Sequence, residues 1–147
     1  MNLNYRINNA GIEKIFEHLN ECNIYFKPLL TSRVDIASYA RKVVSNAVRC
    51  EAWDRDQLVG LVATYMNDEK KEKAFITNVS VLKNYWAQGI ATLLLRQSMQ
   101  MAKELGYAKM VLEVTPDNRA AVAFYEKMEF AVEDTRSVNS LTMSKYL

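Results

Sequence analysis

Two rhythms of apolar and polar positions run along this chain. Ile12, Ile15, Phe16 and Leu19 recur at helical spacing, which predicts a helix after a short first strand at Asn4 to Asn8, with Asn9 as its cap. His18 falls off that apolar face and is expected in solvent. Pro28 interrupts the segment from Cys22 to Ser32, and Val34 to Asn46 reads as a second helix. Val48 to Trp53, Leu58 to Met66 and Ala74 to Leu82 then read as three consecutive strands. The turn Asp54-Arg55-Asp56-Gln57 and the charged loop Asn67 to Lys73 separate them, as in an antiparallel meander. After Gln88 the rhythm turns helical again, with Ile90, Leu93, Leu94, Met101 and Leu105 on one face and a stop at Gly106. Lys109 to Val114 predicts a fifth strand, and Asn118 caps a helix ending near Met128. Two strands, near Phe130 to Asp134 and Ser140 to Tyr146, finish the chain.

Composition narrows the reading to a single globular domain over residues 1–147. Half of the residues are hydrophobic and 24% are charged, a balance that favours a packed core over disorder. A net charge of +2 is too small to suggest a nucleic-acid partner. No apolar run reaches the ~18–20 residues of a membrane span. Met1 to Ile7 lacks the regions of a signal peptide. Cys22, Cys50 and the single histidine form no metal spacing, so no metal is expected. Reduced thiols in the cytoplasm are the default. Met and Tyr residues near the C-terminus permit a homodimer without requiring one.

The stretch most suggestive of chemistry is Asn84-Tyr85-Trp86-Ala87-Gln88-Gly89-Ile90-Ala91-Thr92. A turn of small residues feeding a helix gathers free backbone N–H groups at the positive end of the helix dipole, a site suited to a phosphate or pyrophosphate. Gly89 and Ala91 leave the backbone open to close approach. No Gly-Lys-Ser/Thr closes the stretch, and it carries one glycine only, so it is neither a Walker loop nor a dinucleotide fingerprint.

Trp86, Gly89 and Ala91 fall where the acetyl-CoA signature of the GNAT superfamily of N-acetyltransferases, Gln/Arg-x-x-Gly-x-Gly/Ala, has its defined places. The stretch resembles that signature, with Trp86 standing at the Gln/Arg position. A second block, Leu112-Glu113-Val114, Asn118, Ala121, Phe124-Tyr125-Glu126-Lys127 and Phe130, resembles the family's strand–helix block, with Glu129 where a glycine is usual. The resemblance covers Ala74 to Phe130 and implies an α+β fold: a central, mixed but mostly antiparallel sheet of about seven strands flanked by about four helices. It implies acetyl-CoA as acyl donor, its pantetheine arm along the backbone of Val79, Ser80 and Val81. The pyrophosphate would lie over the amides of Ala87, Gln88, Gly89, Ile90, Ala91 and Thr92, with Asn118 and Tyr125 also at the cofactor. With Trp86 in place, the backbone carries most of the phosphate binding.

The implied reaction is attack of a primary amine on a thioester in a ternary complex. A leaving thiol near ~8.5 against tyrosine near ~10 makes full proton transfer from Tyr125 uphill by roughly 2 kcal/mol, so Tyr125 is assigned a hydrogen bond to the thiolate instead. Glu113 precedes Tyr125 at a spacing that resembles the ribosomal-protein alanine acetyltransferases and is the candidate base; Glu72 and a water relay are alternatives. Deprotonating a lysine amine costs roughly 4.6 kcal/mol at neutral pH against about 1–1.4 for an α-amine, which favours a low-pKa acceptor. The expected acceptor is a small molecule such as an amino sugar, amino acid or polyamine-like amine. A protein N-terminus, or no catalysis at all in an acyl-CoA-binding module, are the alternatives. Tyr25 and Phe26, with the Thr135 to Asn139 turn, are the expected acceptor mouth.

Overall fold

A computed structural model describes residues 3–137 and 139–147, with the side chains of residues 134–137 outside the description. The expected meander is present. β1 (Leu3–Ile7), β2 (Ala47–Asp54), β3 (Gln57–Tyr65) and β4 (Lys73–Val81) pair antiparallel in that order. β5 (Lys109–Val114) joins β4 in parallel, and β7 (Ser140–Tyr146) lies between β5 and β6 (Ala131–Ser137), giving the sheet order β1-β2-β3-β4-β5-β7-β6. Among the described residues four α-helices flank this sheet: α1 (Ile12–Cys22), α2 (Ile36–Asn46), α3 (Ile90–Glu104) and α4 (Arg119–Lys127). α1 and α2 cover one face over Ile15, Leu19, Val43, Leu58 and Leu61. α3 covers the other over Val59, Val62, Met110 and Leu112, and Phe124 and Tyr125 of α4, with Met128 just after it, pack into the same cluster.

Gly60 decides how closely α3 approaches the sheet. A Cβ there would stand 2.7 Å from Ile90 Cγ2, 3.2 Å from Leu94 Cδ1 and 3.3 Å from Ala52 Cβ. Only a residue without a side chain lets the first turn of α3 rest on β3, which fixes the helix N-terminus relative to the end of β4.

Three local expectations are corrected. His18 is buried at 3% exposure, and the inward face of α1 is Ile15, His18, Leu19 and Cys22, while Ile12 and Phe16 lie at the surface. The histidine turns inward because polar partners await it: its Nδ1–H donates to the Leu58 carbonyl at 2.9 Å, and Nε2 lies 2.8 Å from Ser80 Oγ. Burial lowers its pKa from 6.5 to about 4, partly opposed by these bonds, so the ring is neutral at pH 7. Asn9 does not cap α1; the cap position is Gly11, and the Asn9 and Ala10 N–H groups donate to the buried Glu51 carboxylate at 3.0–3.2 Å. Leu93 of α3 and Leu105 at its C-cap are 44% and 47% exposed, and Leu95, Ser98 and Ala102 take the inward positions beside Ile90 and Leu94.

Glu51 also accepts from Trp53 Nε1 (2.9 Å) and Arg49 Nε (3.3 Å), while Arg49 donates to the carbonyls of Val44 and Ala10. A carboxylate with this many donors ties the entry of α1 and the exit of α2 to β2, so its role is structural. Among the described residues no helix is long and apolar enough to cross a membrane, and no group of three or more His, Cys, Asp or Glu could hold a metal ion.

Candidate functional site

The site starts where two strands part. β4 and β5 pair only from Lys73–Lys109 to Phe75–Val111, after which β4 continues against β3 alone. Among the described residues its far edge from Ile76 to Val81 has no strand partner. Leu82 N–H donates to Val59 O on the β3 side, so alternation along the strand turns the backbone groups of Val79 and Val81 away from β3 and those of Ser80 toward it. A cavity of about 580 Å³ opens along that edge.

Its far end is the turn into α3. Ala87 and Gly89 both adopt left-handed backbone, φ 62° and 76°, and no side chain caps the helix. The first intrahelical bond in this turn is Leu93 N–H to Gly89 O, so the N–H groups of Ile90, Ala91 and Thr92 point out of the helix end. A Cβ placed on Gly89 would meet nothing within 4 Å, so the turn is open above its backbone. Free amides, a helix dipole and a paired left-handed turn form an anion cradle that fits a diphosphate. Tyr85 braces this turn through a 2.6 Å bond from its hydroxyl to Asp54 Oδ2.

Trp86 has a different task from the polar residue the signature places there. Its indole N–H donates to the Val81 carbonyl at 2.7 Å, and Tyr25 packs edge-to-face against it with centroids 5.2 Å apart. The Lys83 ammonium lies 4.0 Å from the centre of the indole ring. Trp86 therefore occupies the last carbonyl of the open strand edge and holds a cation beside the cradle.

All of the expected cofactor residues line this cavity: Val79, Ser80, Val81, the run Ala87, Gln88, Gly89, Ile90, Ala91 and Thr92, and Asn118 and Tyr125. Tyr25 and Phe26, with Cys22, Tyr85, Trp86, Ala120, Ala121 and Phe124, complete it. Small residues in the first turn of α4 have the spacing to mark an open helix face. Cys22 and Tyr85 carry no signal that distinguishes them from core positions.

A second cavity of about 430 Å³ lies on the other side of Tyr125. Glu113 lines it, with Arg33, Thr77, Asn78, Thr115 and Asn139. The two cavities share Phe26, Val79, Asn118, Ala121 and Tyr125 as a common wall. Phe26 thus faces both, whereas Tyr25 lines the first only. Thr135 to Val138 lie outside the described side chains, so of that turn only Asn139 is placed. Glu72 lines neither cavity; it stands at the opposite end of β4, its N–H held by Asp68.

Several lining residues are held from behind. Asn118 Oδ1 accepts from Ala121 N–H at 3.3 Å and so caps α4. Tyr39, its hydroxyl pKa raised to about 12 chiefly by burial, donates to the Thr77 carbonyl at 2.8 Å. Thr115 Oγ1 donates to the Lys27 carbonyl at 3.1 Å, joining the α1–α2 segment to the loop before α4. The Tyr125 ring packs edge-on to Phe124 and Phe130 at 5.3 and 5.9 Å. Burial pushes its pKa well above the ordinary tyrosine value, and no group among the described residues hydrogen-bonds its hydroxyl.

Comparison with known proteins gives the family and the fold. Residues 12–130 match the model of the Acetyltransferase (GNAT) family. The chain is 35% identical over 81 residues to N-alpha-acetyltransferase 30 of Schizosaccharomyces pombe, covering 54% of each protein. It is 29% identical over 86 residues to the mycothiol acetyltransferase of Corynebacterium efficiens, covering 58% of this chain and 28% of that one. The chain thus spans about half or less of the length of these curated relatives. A PaiA N-acetyltransferase from Thermoplasma acidophilum, solved with coenzyme A, shares the fold across 100% of both chains, with TM-score 0.76 at 20% identity. With its seven-stranded sheet splayed between β4 and β5 and its open turn at Gly89, this chain belongs to the GNAT acetyltransferase family.

Proposed function

We propose that this protein transfers an acetyl group from acetyl-CoA to a primary amine by direct attack in a ternary complex. The observation that carries this reading is the common wall: one cavity ends in an anion cradle, the other holds a carboxylate, and Tyr125 stands between them. Acetyl-CoA supplies an activated acyl group. The amides from Ala87 to Thr92 hold its diphosphate, and the open edge at Val79 pairs with its amide arm. Glu113 accepts the proton of the attacking amine, and Tyr125 donates a hydrogen bond to the departing thiolate.

The raised pKa of Tyr125 supports that division of labour, because it widens the uphill gap for full proton transfer while leaving the phenol protonated and able to donate. Glu113 lies at the surface, where an amine reaches it from solvent. The acceptor is a small amine. A peptide N-terminus is the second reading, favoured by the likeness to an N-alpha-acetyltransferase. The test measures acetyl-CoA-dependent thiol release across a panel of amino acids, amino sugars, diamines and short peptides, beside calorimetric titration of coenzyme A. Binding without turnover on any acceptor would leave a non-catalytic module; no binding at millimolar ligand would end the proposal.

A further inference from the structure

The acceptor-side cavity carries charges that the chemistry of amine transfer does not account for. Arg33 and Lys27 both line it together with the carboxylate of Glu113. Among the described residues neither the Arg33 guanidinium, the Lys27 ammonium nor the Glu113 carboxylate makes a salt bridge or a side-chain hydrogen bond to protein. Lys27 also borders an adjoining cavity that holds Asp117, so Arg33 is the cation committed to the cavity of Glu113.

Resting on the acetyl-transfer reading, we propose that the acceptor is a small amine that also carries an anion, a carboxylate or a phosphate. Glu113 receives the amine and Arg33 the anion. An acceptor ammonium that pairs with Glu113 cancels the only carboxylate lining this cavity among the described residues and leaves two cations facing it. A diamine would add a third positive charge there and is opposed by like-charge repulsion. A carboxylate or phosphate on the acceptor removes the imbalance, and the planar guanidinium offers paired donors that fit either group. Asn78 and Thr77 add polar residues to the lining, which suits an acceptor that is polar beyond its two charges. The cavity, at about 430 Å³, has room for a small metabolite.

The experiment compares kcat/KM for matched acceptors: amino acids against their amides, aminoalkyl phosphates against amino alcohols, with diamines and a peptide with an acidic second residue alongside. The wild-type protein should favour the anionic member of each pair by about tenfold or more, as a charge-assisted bond provides. Carboxylate and phosphate pairs show which anion is preferred. Arg33→Gln should collapse the ratio, mainly through KM, and Arg33→Lys should restore part of it. A ratio near one in the wild type, preference for diamines, or an unchanged ratio in Arg33→Gln overturns the inference while acetyl transfer stands. Preference for the acidic peptide over every free amino acid overturns the small-molecule half. No turnover on any acceptor defeats the acetyl-transfer reading, and this one with it.

Discussion

Replacing Tyr125 with phenylalanine removes one oxygen from the wall between the two cavities, and the structure says what that oxygen does not do. No described residue hydrogen-bonds it, so its loss leaves no orphaned donor or acceptor in the fold. The ring contacts with Phe124 and Phe130 stay. Stability should therefore change by less than about 1 kcal/mol. What disappears under the proposed mechanism is a hydrogen bond to a developing thiolate, worth about 1.5–3 kcal/mol when the acceptor is charged, or about 10- to 100-fold in kcat. Coenzyme A affinity should hold within about twofold, because the cradle at Gly89 is untouched. Burial raises the Tyr125 pKa, so the wild-type rate should climb with pH as the acceptor amine deprotonates and show no fall where an ordinary tyrosine would ionise, near ~10. Single-turnover rates at saturating acetyl-CoA and calorimetric titration of coenzyme A separate these quantities. An unchanged single-turnover rate, or a loss wholly explained by a lower melting temperature, would remove Tyr125 from the chemistry.

Four further outcomes follow from particular geometries. Gly89→Ala places a methyl group on a left-handed residue in the open space over the cradle; it should cost about 1 kcal/mol of stability and weaken coenzyme A binding about tenfold by calorimetry. Gly60→Ala drives a Cβ to within 2.7 Å of Ile90 Cγ2 and should destabilise by about 1–3 kcal/mol in urea titration, with coenzyme A affinity reduced because the start of α3 shifts. Glu129 holds φ 71° where the α4 terminus closes, with Phe130 N–H bonded to Tyr125 O and Glu129 N–H to Glu126 O. Glu129→Gly should stabilise by about 1 kcal/mol in denaturant titration even after losing the exposed pair with Lys145; a lower midpoint would contradict the strain argument. The folded-state pKa of His18 lies below its unfolded value, so its contribution is complete above pH 6.5 and is lost as pH falls toward about 4, by roughly 3 kcal/mol. His18→Gln should flatten that limb of the stability–pH curve, and an equal slope in both proteins would place the acid sensitivity elsewhere.

How much of this molecule shows in its sequence depends on how local each cause is. β5 and β7 lie where alternation places them, and the stop at Gly106 and the Asn118 cap are set by neighbours a few positions away. The inward face of α1 has a distant cause. Periodicity assigns Phe16 inward and His18 outward, but Leu58 and Ser80, far along the chain, supply the partners that bring the histidine in. The turn at Gly89 is legible because one continuous stretch builds it, while Tyr125 is singled out only by the resemblance of its strand–helix block. Arg33, Thr77 and Asn78 meet Glu113 only through the sheet and the α1–α2 segment, and no local pattern marks them.

Trp86 shows how the open edge and the cradle depend on each other. A strand edge turned into a cavity exposes N–H and C=O groups that need partners. Val81, the residue nearest the cradle, has its carbonyl taken by the Trp86 indole N–H. Val79, deeper in the wall that both cavities share, has no described partner on that side. The backbone open to an incoming amide is therefore concentrated beside Tyr125 and away from the helix end. An indole that satisfies the outer carbonyl thus sharpens the proposed division of the site: on that reading charge sits at Gly89, the extended arm at Val79, and the reacting carbon at the wall where Tyr125 borders the cavity of Glu113.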